Sequence, residues 1–153
     1  MAKSTGRESD PLISFAFALE VQGAVKGYFT EVSGVGSENE VIEHKVTGEK
    51  GKEWIQKIPG RLKWTDITLK RGITNTLDIW DWRKLVEQGK MKDARKDGSI
   101  VMFDRDYTPA ARWNFTRGWP SKVSGPSFKS DSNEFAVEEL TIAHEGIERV
   151  KEG

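Results

Sequence analysis

The stretch ISFAFALEV, Ile13–Val21, decides the fold class, because its large and small residues alternate. Its odd-numbered positions are large and apolar, whereas its even-numbered positions are Ser, Ala, Ala and Glu. A period of two is typical of a β-strand with one buried face. Gln22–Ala24 has the composition of a turn, and Val25–Ser33 follows as a second strand. The chain is therefore predicted to begin its fold with a β-hairpin.

Further strand-like segments follow, separated by turn residues. They are Glu38–Thr47, Glu53–Ile58, Ser99–Phe103, Ala111–Trp119 and Glu134–Glu145. A change in the parity of the apolar residues predicts a β-bulge near Thr65–Asp66. Ser121–Asn133 is rich in Ser, Gly and Pro and is predicted to form a long loop.

One helix is predicted between Thr76, a candidate N-cap, and Gly89, which can end a helix. The apolar stripe on one side of this helix comprises Ile79, Trp82, Leu85 and Val86. Leu77 and Trp80 fall on the other side, and a helix with one buried stripe leaves them in need of another partner. Many strands and a single helix predict a mainly β fold, an antiparallel barrel or sandwich with one flanking helix.

Composition narrows the class of protein. The chain has 153 residues, which predicts one domain, and it has no Cys, which excludes disulfides and thiolate metal sites. Lys and Arg number 24, as do Asp and Glu, so a dedicated nucleic-acid binder is disfavoured and self-association is favoured. Met1–Asp10 has no apolar targeting segment, and Leu12–Val21 is too short to span a bilayer.

Residue types that carry catalysis do not form a complete motif. His44 and His144 lie far apart, each in a strand without an acidic or Cys companion at metal spacing, and a structural role is favoured for both. Asp104 and Asp106 lack a third calcium ligand before the next proline. Gly51–Lys52 lacks the rest of a phosphate-binding loop. The chain is predicted to be no enzyme and to use no cofactor and no metal.

The six Trp residues leave an alternative open, because exposed indoles could stack on sugars or bases. The alternative function is a monomeric β-barrel module that binds carbohydrate or nucleic acid. Four of the Trp residues lie in elements that need core residues, which favours a core or an interface role. They are Trp64, Trp82, Trp113 and Trp119. A size measurement separates a monomeric module from a self-assembling protein.

Several short phrases occur along the chain in a fixed order. They are DP…F.F at Asp10–Phe17, FTEVSG at Phe29–Gly34, IPG at Ile58–Gly60, LKRGIT at Leu69–Thr74, WDWRK at Trp80–Lys84, ARWNF and WPSK within Ala111–Lys122, and HEG at His144–Gly146. Each phrase alone is weak, but the ordered set is specific. By these phrases the chain resembles the tail tube proteins of contractile phage tails and extracellular contractile injection systems, over roughly Asp10–Arg149. It is more distantly similar to the tube protein of type VI secretion.

The resemblance implies two β-sheets packed near-orthogonally beside a helix, and subunits that close into hexameric rings. Rings would stack into a rigid inner tube inside a sheath, connected to baseplate and spike proteins, with a cargo effector or DNA in the lumen. The implied organisation is a flexible N-terminal tail at 1–10, a tail-tube β-barrel domain at 11–150 and a C-terminal tail at 151–153. The protein would be made in the bacterial cytoplasm, would not insert into a membrane by itself, and would join a virion tail or a releasable particle. Phage, bacteriocin and injection system all stay open.

The same resemblance suggests roles for particular residues. The small face of the first strand would line the lumen through Ser14, Ala16 and Ala18. Leu77 and Trp80 would form a subunit contact, with Trp80 outside the core of the monomer. A polar, glycine-flanked tip between two strands would mediate the stacking of rings. The predicted stacking residues are Gly48, Glu49, Lys50, Gly51, Lys52 and Glu53.

Overall fold

A computed structural model of the chain describes residues 17–73, 76–125 and 136–151. The strands within these ranges are β1 (Phe17–Val21), β2 (Ala24–Phe29), β3 (Glu31–Ser33), β4 (Ser37–Thr47), β5 (Glu53–Trp64), β6 (Ile67–Gly72), β7 (Lys96–Phe103), β8 (Pro109–Ser124), β9 (Val137–Ala143) and β10 (Gly146–Val150). The helices are α1 (Asp78–Glu87) and α2 (Met91–Ala94). The predicted N-terminal tail, and all but the first residue of the predicted C-terminal tail, lie outside the described residues.

Eight of the strands form two antiparallel sheets that share β8. The first sheet has the order β2-β1-β7-β8-β10, and the second has the order β8-β9-β6-β3. Strand β8 changes sheets near Arg117, whose φ is 50°, and Gly118. A Cβ on Gly118 would lie 2.4 Å from the Phe115 ring, so only glycine fits at this bend. The predicted class, mainly β with two antiparallel sheets and a flanking helix, is confirmed.

The core lies between the two sheets, because each sheet directs alternate side chains inward. The first sheet contributes Leu19, Val21, Phe29, Ile100 and Phe115, and the second contributes Ile67, Leu69, Leu140 and Ile142. Helix α1 closes the core with Ile79 and Trp82. Burial of each large side chain contributes about 1.5–3 kcal/mol to folding. The apolar residues that alternate along the strands therefore stabilise the folded chain.

Helix α1 covers an edge of the second sheet. The Arg83 guanidinium donates a hydrogen bond to the Pro120 carbonyl of β8 at 3.0 Å, which satisfies an edge acceptor. The Trp82 indole donates to the Ala94 carbonyl at 2.7 Å and holds α2 against α1. Gly89, at φ 77°, follows the helix as predicted, but the N-cap residue is Leu77 and not Thr76.

Three predicted segments have different boundaries. Val25–Ser33 is not one strand, because the chain crosses at Thr30 from the first sheet to the second. The Thr30 backbone N–H donates to the Lys70 carbonyl at 2.9 Å at this crossing. The predicted last strand, Glu134–Glu145, is interrupted after Ala143 and followed by β10. Strand β8 also continues through Ser124, into the segment that was predicted to be loop.

Candidate interaction surfaces

Strands β4 and β5 form a separate two-stranded hairpin that stands free of the two sheets. At about 3.4 Å per residue, a strand of this length spans about 40 Å. All of its side chains are exposed except those of Val46 and Trp64, which are half-buried, and Gly60 is half-buried as well. Neither strand packs along another described element. Because a lone hairpin is marginally stable in water, one so exposed indicates a surface that another molecule covers.

The two faces of this hairpin differ in charge. The register pairs Ile42 with Ile58, His44 with Gln56 and Val46 with Trp54, and directly paired residues share a face. We call these six residues the uncharged face. The opposite face pairs Glu43 with Lys57 and Thr47 with Glu53, and Lys45 and Glu53 form an exposed ion pair of 3.8 Å on it. Val41 and Ile55 also lie on this opposite face and are 63% and 56% exposed, so the two faces differ in charge and not in the presence of apolar side chains.

Glycines extend the uncharged face. A Cβ on Gly48 would lie 2.4 Å from the Trp54 ring, and a Cβ on Gly60 would lie 2.9 Å from the Ile42 side chain. Trp54 and Ile42 thus lie across bare backbone, where they remain 52% and 51% exposed. Large apolar side chains held in place but half in water are suited to bury area against a partner.

The tip of the hairpin contains the residues predicted to stack rings. A single 3-10 turn, Glu49–Gly51, connects the strands, and Lys50 and Gly51 adopt positive φ angles of 64° and 73°. The Gly48 N–H closes the turn on the Lys52 carbonyl at 2.7 Å. Charged side chains of both signs are exposed there, so the tip has the predicted polar character; its role in stacking stays a prediction.

The root of the hairpin is attached to the body by His144. Its Nε2 lies 2.9 Å from the Thr65 carbonyl, and its ring packs against those of Trp64 and Phe115 at centroid distances of 6.2 and 6.4 Å. The Thr65 N–H also donates to the Gly36 carbonyl at 3.2 Å, joining the two sides of the root. His144 therefore has the structural role that the sequence favoured.

A second apolar surface lies beside the start of α1, where Leu77 is 61% exposed. Ile73 and Val137 are 50% and 38% exposed, and they adjoin one another because the Ile73 N–H donates to the Ala136 carbonyl at 3.3 Å. Trp80 lies one helical turn from Leu77 and is half-buried. We call Leu77 and the exposed part of Trp80 the helix-side patch.

Trp80 contacts the monomer more than predicted. It packs against the hydrophobic core, and its indole Nε1–H donates to Glu138 Oε1 at 2.9 Å. Trp80 therefore packs against the core of its own chain without being one of the buried core residues, and Glu138 supplies an acceptor that fixes the ring. Its half-exposed remainder and Leu77 can still meet another subunit, and that contact stays a prediction.

Glu138 is one half of a buried ion pair that sequence reasoning missed. Its Oε2 accepts from Arg71 Nε at 3.1 Å, and the two residues are 6% and 4% exposed. The Arg71 guanidinium also lies 5.2 Å from the Phe29 ring centroid. The sequence contains a sign of this pair. Arg71 has the same parity as Ile67 and Leu69, so strand alternation places its side chain on the core face of β6.

The predicted lumen-facing residues are only partly described. Ser14 and Ala16 lie outside the described residues. Ala18 has no exposed surface, because β1 lies between β2 and β7, whose Tyr28 and Val101 flank it in register. A fully buried side chain cannot line a channel, so the assignment of Ala18 is wrong.

The described side chains that could bind a metal or take part in catalysis are either far apart or engaged in structural hydrogen bonds. No group of three potential metal ligands occurs among the described residues. Asp104 Oδ1 accepts from the N–H groups of Asp106 and Thr108 at 2.8 and 3.1 Å, so this acidic pair shapes a turn. His44 lies exposed on the hairpin opposite Gln56. No helix in the described ranges is long and apolar enough to cross a membrane.

Solved structures with a similar fold include parts of extracellular contractile injection systems. One, the sheath–tube complex of the extracellular contractile injection system PVC in its extended state, has a TM-score of 0.70 and 25% identity, covering 97% of this chain and 99% of that one. The tube-terminating cap of the anti-feeding prophage has a TM-score of 0.67 and 22% identity, with 91% and 90% covered. Hcp1 from Flavobacterium johnsoniae has a TM-score of 0.51 and 20% identity, with 88% and 94% covered.

Sequence comparison with a family model agrees with this structural likeness. No individually curated protein matches the chain. The model of the T4-like virus tail tube protein gp19 matches residues 13–148, which is nearly the whole fold. The likeness of the fold and this match agree on a structural protein that forms tubes, and not on a carbohydrate-binding module. The chain belongs to the family of the T4-like virus tail tube protein gp19.

Proposed function

We propose that this chain forms hexameric rings that stack into the inner tube of a contractile tail or injection particle, a rigid conduit driven through a target envelope by contraction of a sheath. The observation that carries the proposal is the free-standing hairpin, whose uncharged face has no partner within the described chain. Burial of such a face on other copies would remove an aggregation liability and build a regular assembly at the same time.

Ring closure is supported by the edges of the first sheet. Strands β2 and β10 are its outer strands in the described part of the chain. The outer edges of these two strands can pair with those of neighbouring copies, and such a contact is heterologous because the two edges differ. A heterologous contact that closes by rotation gives a ring. Six copies would close it, as the resemblance implies, with Ser14 and Ala16 as candidate residues of the channel wall.

Stacking of rings is assigned to the hairpin tip, Gly48–Glu53. Its exposed Glu49 and Lys50 can form ion pairs with the rim of the next ring. An exposed ion pair contributes only about 0–1 kcal/mol, but a symmetric ring repeats it at every subunit, so the contributions combine by multivalency. Because exposed charges are screened by ions, added salt should weaken stacking before it disrupts rings.

The partners follow from the same role. The similar PVC structure is a sheath–tube complex, and another similar structure belongs to the anti-feeding prophage baseplate. These likenesses support a sheath around this tube and a baseplate with its spike at one end. A cargo effector or DNA would occupy the lumen. The role is structural and not enzymatic, with synthesis in the bacterial cytoplasm before incorporation into a virion tail or a particle that is released.

The experiment replaces Glu49–Lys52 with a Gly-Ser turn of equal length. The altered protein should keep its rings and lose long tubes, as seen by negative-stain electron microscopy. A matched control makes the same replacement at Arg105–Tyr107 in the exposed turn between β7 and β8, and it should keep both rings and tubes. Tubes of normal length from the hairpin variant would show that another surface carries the stacking.

A further inference from the structure

We propose that the buried guanidinium of Arg71 fixes the register of β2 against β1, and with it the backbone groups that β2 offers at its outer edge. In this role Arg71 is a positioning residue, and its ion pair with Glu138 specifies strand pairing more than it stabilises the chain. The consequence for ring closure rests on the proposed tube function, whereas the register itself is a property of the single chain.

Strand β2 starts in one register against β1 and continues in another. A two-residue turn joins the two strands, and just beyond it Glu20 lies opposite Val25. The next pair is Leu19 with Gly27, so Lys26 is an extra residue that forms a β-bulge. Without the bulge, Lys26 would lie opposite Leu19, and the rest of β2 would slip by one residue.

The apolar pattern of β2 discriminates weakly between these two registers. In the observed register Phe29 lies opposite Phe17 and is fully buried, while Tyr28 is 44% exposed. The slip would exchange these two rings, which differ only by a hydroxyl group. At the end of β2, the N–H and hydroxyl of Thr30 donate to the Lys70 carbonyl, but Thr30 is exposed, so water can replace these bonds.

The guanidinium of Arg71 discriminates strongly. It lies beside Gly27 and 5.2 Å from the centroid of the Phe29 ring. A Cβ at the place of Gly27 would lie 2.5 Å from Arg71 Nη1, so a side chain does not fit there while the guanidinium keeps its position. The slipped register would put Lys26 at this place, where its Cβ and its like charge both oppose the guanidinium. The observed register puts the one glycine of β2 there.

The guanidinium is held in its position by a network that reaches α1. Arg71 Nε donates to Glu138 Oε2 at 3.1 Å, and Glu138 Oε1 accepts from the Trp80 indole at 2.9 Å. A shift of the guanidinium would separate a buried charge from its counter-ion, which is strongly unfavourable. A buried ion pair of this kind adds little net stability, and discrimination between two registers gives it a use.

The bulge also gives Lys26 a better environment than the slipped register would. In the observed register Lys26 is half-buried and lines a cleft beside α1 that Asp78 and Asp81 line as well. Attraction to these carboxylates favours the bulge, while repulsion from Arg71 disfavours the slip. Both effects act in the same direction.

The register decides which backbone groups the outer edge of β2 presents. Along a strand, the N–H and C=O groups of successive residues point alternately to its two sides. A slip of one residue would therefore turn outward the groups that now pair with β1. A neighbouring copy would meet this edge out of register, and a chain population with two registers should close few rings.

The first test makes the slipped register sterically possible without touching the buried pair. Lys26→Gly places a glycine opposite Leu19 in either register, whereas the matched control Lys26→Ala removes the same charge but keeps a Cβ. Dilute protein is treated with tetranitromethane, and nitration of the two tyrosines of the chain is measured by peptide mass spectrometry. Tyr107, 39% exposed in the turn between β7 and β8, is the internal reference for Tyr28.

We expect the ratio of Tyr28 to Tyr107 nitration to be about threefold lower or more in Lys26→Gly than in Lys26→Ala, because the slip carries the Tyr28 ring from the solvent face to the core face. An equal or a higher ratio would overturn the proposal, since it would show a register that is fixed without Arg71 or a strand that has merely frayed.

Assembly of the same two variants tests the consequence for ring closure. Under assembling conditions Lys26→Gly should give about tenfold fewer closed rings than Lys26→Ala by electron microscopy, because a heterologous contact closes only when its edges match. Equal yields despite a changed nitration ratio would overturn the link between register and closure. Absence of rings from the natural chain would overturn the tube function, and the nitration ratio would still decide the register.

A second comparison removes the discriminating charge. Arg71→Met, Glu138→Leu and Trp80→Phe are combined, so that no buried charge and no indole N–H remains, and Trp80→Phe alone is the matched control. The uncharged variant should keep the Tm of the control or exceed it, while its nitration ratio falls as in Lys26→Gly. A folded variant with the ratio of the control would overturn the proposal. If the uncharged variant does not fold, the comparison of the two Lys26 variants decides.

Discussion

At the scale of single residues, the least expected feature is the ion pair between Arg71 and Glu138 inside an apolar core. The pair lies directly across β6 and β9, and Gly27 makes room for it, since a Cβ there would lie 2.5 Å from Arg71 Nη1. Arg71 Nη2 has no hydrogen-bond partner among the described residues, which leave this part of the guanidinium unsatisfied. A buried pair of this kind contributes little net stability, but loss of one member is costly.

Removal of the carboxylate should therefore destabilise the chain strongly. Glu138→Ala leaves Arg71 buried without a counter-ion and Trp80 without an acceptor, and we expect a loss of about 3–5 kcal/mol in the free energy of unfolding. Glu145→Ala breaks the Arg117–Glu145 pair, which has a similar distance of 2.9 Å but is more than half exposed, and it should cost about 0–1 kcal/mol. Urea unfolding of dilute protein measures both. Similar losses from the two variants would contradict the account of the buried pair.

Gly118 should not tolerate a side chain, because neighbouring side chains already occupy the space that a Cβ would need. A Cβ there would lie 2.4 and 2.6 Å from the Phe115 ring and 3.1 Å from Ile142. Gly118→Ala should lower the free energy of unfolding by about 1–3 kcal/mol through overpacking. Gly125→Ala, where nothing lies within 4 Å of the new Cβ, is the control. A neutral Gly118→Ala variant in thermal unfolding would show that β8 can bend without this close packing.

At the scale of elements, the two strands of the hairpin pair regularly with each other but do not pack against the rest of the described fold. Its ladder is continuous apart from a register shift between Asn39 and Val41, where Gly60 and Arg61 of β5 lie opposite Glu40 of β4. The bulge predicted near Thr65–Asp66 is not found: β5 ends at Trp64 and β6 begins at Ile67, so the change in parity there is a break between two strands. The hairpin keeps its shape through its own hydrogen bonds, and the body contributes only at the root.

Hydrogen exchange should detect this difference. In the unassembled chain, amides near Val46 and Ile55 should exchange much faster than those of Ile100 and Leu140, because local opening of the hairpin exposes no core. In assembled tubes, protection of the hairpin should rise while the core changes little. Mass spectrometry of the two states tests this. A hairpin as protected as the core before assembly, or one unchanged by it, would contradict a role as an assembly arm.

Local patterns predicted most elements, and tertiary context accounts for the misses. The strand-like segment Glu38–Thr47 and the stripe of Ile79 and Trp82 were sufficient to predict β4 and α1. Nothing local shows that Thr30 crosses between sheets, since both flanking strands have ordinary strand composition and the crossing depends on a bond to Lys70. Ala18 is likewise buried by neighbours on other strands, which its own small size does not reveal.

The sequence predicted some residues of the candidate surfaces and missed others, as it did for the elements of the fold. Leu77 could be assigned to the exposed side of α1 from the helical wheel, and it is exposed. The tip at Gly48–Lys52 could be found from its glycines and charges, but the apolar flank of the hairpin could not. The division into two faces requires the register of β4 against β5, in which Ile42 faces Ile58, and no local pattern specifies that pairing.

At the scale of the whole molecule, the chain combines a closed core with open surfaces. The two sheets and α1 bury their apolar sides against one another, and the hairpin, the outer strands and the helix-side patch remain available. With equal numbers of acidic and basic residues, no long-range repulsion opposes association of copies. The molecule is therefore suited to assemble as soon as it has folded.

The number of chains in the particle tests the central claim most directly. The purified natural chain, at high micromolar concentration, should be measured by sedimentation velocity and imaged by negative-stain electron microscopy. We predict a species with the mass of six chains, seen as six-fold rings that stack into tubes. A single sharp boundary at the mass of one chain, with no rings on the grids, would contradict the account.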